Sequence, residues 1–235
     1  MDLINHIKAE CRKDKLSALF FTVSPSYLAA SYLKAKKDTK DEVRDFIIAR
    51  NWQYFIVASL LAFAVSVSAI FDISKWLVAI GGMYAFSRVN EIFIAFVKDA
   101  SSHLRKEEHS SSLKYHERIP LAMKSYIELI VLYGVIVFGL HFFFQAMSCG
   151  TDSASCSLSM WQAIYYSGVT VTTLGYGEIT PSSFSTQLMA IYEVINGFSL
   201  IVVSFAVYVS RSISAEEYKS PNNANSADAK SRAAD

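Results

Sequence analysis

An all-α integral membrane fold, with four transmembrane helices and a segment that enters the bilayer and returns, is the class this sequence predicts, on three observations. Of its 235 residues, 52% are hydrophobic and 18% charged, which is more apolar than an ordinary soluble domain of this size. The apolar residues are bunched into runs near the length of about 20 residues that a helix needs to cross a bilayer core. Lys and Arg, which collect on the cytoplasmic side of such spans, are crowded into some connections and missing from another.

The run from Trp52 to Phe71 carries no charged residue. The run from Trp76 to Val97 is long enough but is interrupted by Arg88, Asn90 and Glu91. Ser125 to Met147 and Gln187 to Val209 complete the set, each with one acidic residue near its first turns. The stretch from Lys98 to Lys124 is rich in Lys and Arg, whereas Ser148 to Gln187 has neither. The first connection is therefore expected in the cytoplasm and the second outside. Basic residues ahead of Trp52 and at Arg211 put both termini in the cytoplasm of a multi-pass cell-membrane protein in contact with lipid. Trp52, Trp76 and Trp161 then fall at the water boundaries that amphipathic rings prefer.

Residues 1–50 read as a cytoplasmic or interfacial segment. Within them Leu16 to Leu33 is uncharged but contains Pro25 and several hydroxyl residues, flanked by basic clusters. This pattern favours a segment lying on or dipping into the leaflet over an additional span. Residues 51–98 read as two accessory transmembrane helices, 99–124 as a cytoplasmic linker, and 125–210 as two spans with the re-entrant segment between them. Residues 211–235, dominated by Ser, Ala, Asn, Asp and Lys, read as a mobile cytoplasmic tail. His103, His109 and His116 lack Cys partners and close ligand spacing, so solvated surface histidines are expected. Net charge is +1, and nothing points to nucleic acid. There is no convergent set of nucleophile, base and metal ligands, so no enzyme and no organic cofactor is expected.

Met160 to Ser182 is too short and too punctuated by glycine at its end to cross a membrane. Irregular backbone at membrane depth is tolerated only where protein buries it or where it lines a water-filled cavity. Within this segment Thr172-Thr173-Leu174-Gly175-Tyr176-Gly177-Glu178 resembles the filter signature of the tetrameric potassium channel family. The resemblance covers roughly residues 125–210 and does not extend to the first two spans. It implies a pore domain of outer helix, pore helix, filter and inner helix, closed by three identical partner subunits, that conducts K⁺ passively. It further implies that the carbonyls of Thr173, Leu174, Gly175 and Tyr176, with the Thr173 hydroxyl, bind partly dehydrated K⁺, and that Gly177 completes the filter. Glycines at 175 and 177 suit such a backbone because they reach conformations closed to other residues. Trp161 to Thr172 would be the pore helix, its C-terminal dipole end favouring a cation in the cavity.

Tyr165, Tyr166, Val169, Thr172 and Glu178 are the expected filter supports. The two tyrosines stand where the family often has tryptophans. Val169 stands where some members place a carboxylic acid, and Glu178 replaces the commoner Asp. A weakly selective cation channel shares this architecture, although the intact Tyr176 speaks against it, and an ion-sensing adaptor with a non-conducting loop is the alternative from another class.

Gly197, in the last span, is either a hinge or a small residue that permits close packing. Phe198, Ile201, Phe205 and Val209 follow at steps of three and four, so on an α-helix they share a face that could close a cavity by dewetting. Arg88 and Glu91, three apart on one face with Lys98 further along it, are either a gating contact with the pore helices or a self-satisfied pair. A single Arg in the span argues against a voltage sensor. Glu193 and His141 are lone polar residues for which packing partners suffice. Cys149 and Cys156 lie outside, where oxidising conditions permit a disulfide, and Cys11 is expected as a free thiol.

Overall fold

A computed structural model describes residues 5, 7–8, 16–71, 73–104, 112–113, 115–150 and 157–204. Its elements are α1 (Leu16–Val23), α2 (Pro25–Lys34), α3 (Lys40–Ile70), α4 (Lys75–Leu104), α5 (Tyr115–Phe144), β1 (Met147–Cys149), α6 (Met160–Val171), β2 (Ile179–Pro181) and α7 (Phe184–Phe198), followed by a π-helical turn over Ser199–Ser204. α2, α3, α6 and α7 start where their sequences provide caps. The Thr39 side chain accepts from the Glu42 amide at 3.2 Å, with Asp41 and Glu42 facing the positive end of the α3 dipole. Ser159 with Gln162, and Ser183 with Thr186, form reciprocal capping boxes at the heads of α6 and α7.

Three helices, α3, α4 and α5, are long and apolar enough to cross a membrane among the described residues. The fourth expected span begins as α7 and its π turn, and its last residues, 205–209, lie outside the described residues. α3 and α5 both start well before their apolar runs, because helical residues from Lys40 and from Tyr115 precede the expected boundaries. α5 is the central helix: it packs against α3, α4 and α6, and it is buried on every side from Leu132 to Gly139. Leu129, Leu132, Tyr133, Val135 and Val137 form the middle of the core.

Leu16 to Leu33 folds as two helices of 8 and 10 residues, α1 and α2, each shorter than a span requires. They break at Ser24, whose side chain caps α2 ahead of Pro25. Both pack against α4. The junction is tied down by the Ser24 hydroxyl donating to the Ser87 carbonyl at 2.8 Å and by the Ser26 amide donating to the Ser87 hydroxyl at 3.2 Å.

The all-α expectation needs one amendment. β1 and β2 pair antiparallel, with Met147 opposite Pro181 and Cys149 opposite Ile179, and so join the two ends of the re-entrant segment. Ser182 N–H to the Ala146 carbonyl at 3.0 Å and Gly150 N–H to the Glu178 carbonyl at 2.9 Å extend this closure. His141 accepts from the Met147 amide at 3.3 Å, which gives that lone polar residue its partner. Cys149 is disulfide-bonded; Cys156 and Cys11 lie outside the described residues, as do His109 and the side chains of His103 and His116.

Close approach between α5 and α6 depends on Gly134. A Cβ there would lie 2.6 Å from Ile164 Cγ1 and 2.9 Å from the Ile164 Cα, so backbone as well as side chain would have to move. A Cβ at Gly82 would meet nothing within 4 Å. Gly134→Ala is therefore expected to destabilise the protein by about 1–3 kcal/mol, whereas Gly82→Ala, gaining helix propensity, should be neutral or stabilising by up to about 1 kcal/mol. Thermal unfolding of both variants in the same detergent distinguishes them.

Candidate functional site

The loop from Thr172 to Glu178 doubles back over the C-terminal end of α6. Thr172 N–H reaches the Gly168 carbonyl at 3.2 Å, Thr173 N–H the Thr170 carbonyl at 3.0 Å, and Leu174 N–H the Val169 carbonyl at 3.0 Å. The Thr172 hydroxyl also donates to Gly168 at 2.7 Å. The last carbonyls of the helix are thus satisfied by the loop itself, and the loop amides are turned toward α6. Thr173, Gly175 and Gly177 are left-handed, with φ of 60°, 57° and 82°. Left-handed residues at every second position turn successive amides to one side and the carbonyls to the other. The carbonyls of Thr173, Leu174, Gly175 and Tyr176 accept no backbone hydrogen bond among the described residues. For a β-branched residue such as Thr173 this backbone conformation costs about 1–3 kcal/mol.

Behind the loop is a cavity of about 30 Å³ lined by Tyr165, Tyr166, Val169, Tyr176 and Glu178, room for roughly one water. Tyr165, Tyr166, Val169 and Glu178 of the expected supports therefore converge and Thr172 does not join them; Tyr166 is buried while Tyr165 is 38% exposed. Leu174 and Tyr176 are 61% and 64% exposed on the protomer.

Polar bonds tie α6 to α7, and α7 in turn to α5 and α4. The Ser167 hydroxyl donates to Glu193 on α7, with both residues fully buried. Asn196 donates to the Tyr133 hydroxyl of α5, and the Tyr192 hydroxyl donates to Asn90 of α4 at 2.5 Å. Sequence reasoning passed over Ser167, Tyr133 and Tyr192, because a lone hydroxyl in an apolar run carries no local pattern. Arg88 and Glu91 do pair, at 2.7 Å, but the guanidinium also bonds Glu128 of α5 at 2.7 and 3.3 Å and lies 3.6 Å from the centre of the Tyr54 ring on α3. The pair is thus part of a four-residue cluster across three helices rather than self-contained. Lys98 faces elsewhere, 5.2 Å from the Phe20 ring and 5.3 Å from that of Tyr27. These bonds differ greatly in strength: removing one partner of a buried ion pair costs about 3–5 kcal/mol, whereas a neutral interhelical hydrogen bond in a membrane averages about 0.6 kcal/mol.

Phe198 and Ile201 are exposed on the protomer, and Phe205 and Val209 lie outside the described residues. The π turn at Ser199–Ser204 interrupts the α-helical period on which a common face of these four residues depended. The helix runs through Gly197 to Phe198, and an added Cβ at Gly197 would lie 2.1 Å from Val171 Cγ2. This glycine therefore permits close packing against the end of α6. Gly197→Ala is expected to destabilise the protein by about 1–3 kcal/mol, and Val171→Ala in the same chain to recover most of that loss; denaturation midpoints of the single and double variants provide the check.

Residues 128–213 match a family model described as an ion channel. No curated protein and no solved structure matches the chain. The matched stretch runs from Glu128 of α5 through α6, the 172–178 loop and α7, so it takes in the site just described. The match and the apolar helices support a membrane protein that carries an ion-channel domain and acts by transport rather than by enzymatic chemistry.

Proposed function

We propose that the chain is one of four identical subunits of a cell-membrane channel selective for potassium, conducting K⁺ passively through a central pore. The observation that carries this reading is the 172–178 loop, whose amides from Thr172 to Gly175 are held by α6 and whose carbonyls from Thr173 to Tyr176 have no backbone partner among the described residues. Such oxygens, joined by the Thr173 hydroxyl, replace the hydration shell of a partly dehydrated K⁺. One loop offers one side of such a cage, and closed rotational symmetry around a central axis supplies the others. The C-terminal end of α6 adds the negative end of its dipole beneath the loop. Phe205 and Val209 are the gate candidates in this reading, and Glu178 places negative charge at the mouth.

Purified protein in planar bilayers under mixed K⁺ and Na⁺ provides the test. The reversal potential is expected to follow the K⁺ gradient. A reversal insensitive to exchanging K⁺ for Na⁺ would identify a weakly selective cation channel, and absence of current at every voltage, tension and pH would favour a non-conducting adaptor. Gly177→Ala, strained by about 1–2 kcal/mol in each chain at its left-handed position, should abolish selectivity or current without altering the assembled size on gel filtration. Phe205→Ala or Val209→Ala should raise the leak of the closed state, and the gate assignment falls if neither does.

A further inference from the structure

One turn of α4 touches four other parts of the fold. Ser87 holds the junction of α1 and α2, Arg88 bonds Glu128 of α5 and lies over Tyr54 of α3, and Asn90 accepts from Tyr192 of α7. Arg88, Asn90 and Glu91 are all buried. The contacts to the pore-forming helices are of unequal strength. Toward α5 the link is a doubly hydrogen-bonded ion pair, which cannot be parted in an apolar layer without stranding a charge. Toward α7 it is one neutral hydroxyl-to-amide bond, with the Phe93 ring edge-on to that of Tyr192 at 6.4 Å.

A second acceptor awaits the same hydroxyl. Asn196 lies one helical turn beyond Tyr192 on α7, a spacing that puts the two side chains on one face. Its Oδ1 is buried and has no hydrogen-bond partner among the described residues, while its Nδ2 donates to the Tyr133 hydroxyl. The Tyr192 hydroxyl can therefore leave Asn90 without becoming an orphan, which is the condition for a two-state element in an apolar layer. Release would uncouple α7 from α4 just above the π turn, against which α4 also packs.

We propose that the Tyr192 hydroxyl is a latch on α7, exchanging between Asn90 of the accessory helix α4 and Asn196 of its own helix, and that its position sets how freely α7 moves. For gating, this rests on the channel reading above; as a statement about α7 it does not.

The test pairs two readouts on the full-length protein in lipid. Tyr192→Phe removes the hydroxyl, Asn90→Leu removes one acceptor and Asn196→Leu the other. Single-channel recording should show Tyr192→Phe and Asn90→Leu shifting open probability in the same direction by about threefold or more, the factor one such bond carries. Their double variant should shift no further than either alone, and Asn196→Leu should shift the opposite way. Amide hydrogen exchange across α7, which needs no current, should quicken by about the same factor in Tyr192→Phe and in Asn90→Leu. Unchanged exchange together with unchanged open probability in Tyr192→Phe overturns the latch, as do additive effects in the double variant. Faster exchange without current in any variant leaves the latch standing and removes the channel reading instead. Should Asn90→Leu fail to fold, Tyr192→Phe decides alone, since it deletes a single oxygen.

Discussion

A guanidinium in an apolar layer has few places to go, and the position of Arg88 constrains most of the fold. Left alone at membrane depth, the charge is costly enough that it must face a partner or water. Here it meets Glu91 on its own helix, Glu128 on α5 and the face of Tyr54 on α3. These contacts require α3, α4 and α5 to stand in fixed register, with residues 54, 88 and 128 at one depth. The register of α5 then determines where Gly134 meets Ile164, hence where α6 sits. The carbonyls of Val169 and Thr170 at the end of α6 receive the loop amides. A buried charge pair between α4 and α5 is thus connected, contact by contact, to the backbone of the 172–178 loop.

The helices that hold α6 do so with little hydrophobic driving force, because lipid is as apolar as their own side chains. Two devices replace it. Missing Cβ atoms at Gly134 and Gly197 bring α5 and α7 into contact with Ile164 and Val171, at either end of α6. Between those points the Ser167 to Glu193 bond ties α6 to α7. Ile164, Ser167 and Val171 follow at helical spacing, so one side of α6 is pinned along most of its length. A loop strained at Thr173 persists only where its surroundings over-determine it, and this pinned helix is what does so.

Much of this was legible in the sequence, and the parts that were not share a cause. Long apolar runs announce helices, and the run from Trp161 to Glu178 placed the short helix and its loop within a residue of where they are. Pairings between distant residues leave no such trace: Arg88 predicts a partner but not that it is Glu128, and Ser87 gives no hint of Ser24. Three-residue strands are too short to show a period, so β1 and β2 went unseen. Gly197 could be read as hinge or spacer because the answer depends on Val171, which only the packed structure brings against it. The π turn is likewise invisible to an argument that assumes one helical period throughout.

The surface left open on the protomer carries the last constraint. Phe184, Leu188, Ile191, Ile195 and Phe198 are all exposed, at alternating steps of four and three that match the seam of a helix packing on another helix. The stripe begins where the loop ends and stops where the π turn begins. Beside it lie four backbone carbonyls with no backbone partner among the described residues, groups that cannot face hydrocarbon and are stable at membrane depth only inside protein or around water. An isolated protomer leaves those carbonyls uncovered. In the assembly proposed above, an axis on the loop side would enclose them around a polar centre and would set the stripe between neighbours, where close packing rather than the hydrophobic effect holds helices together.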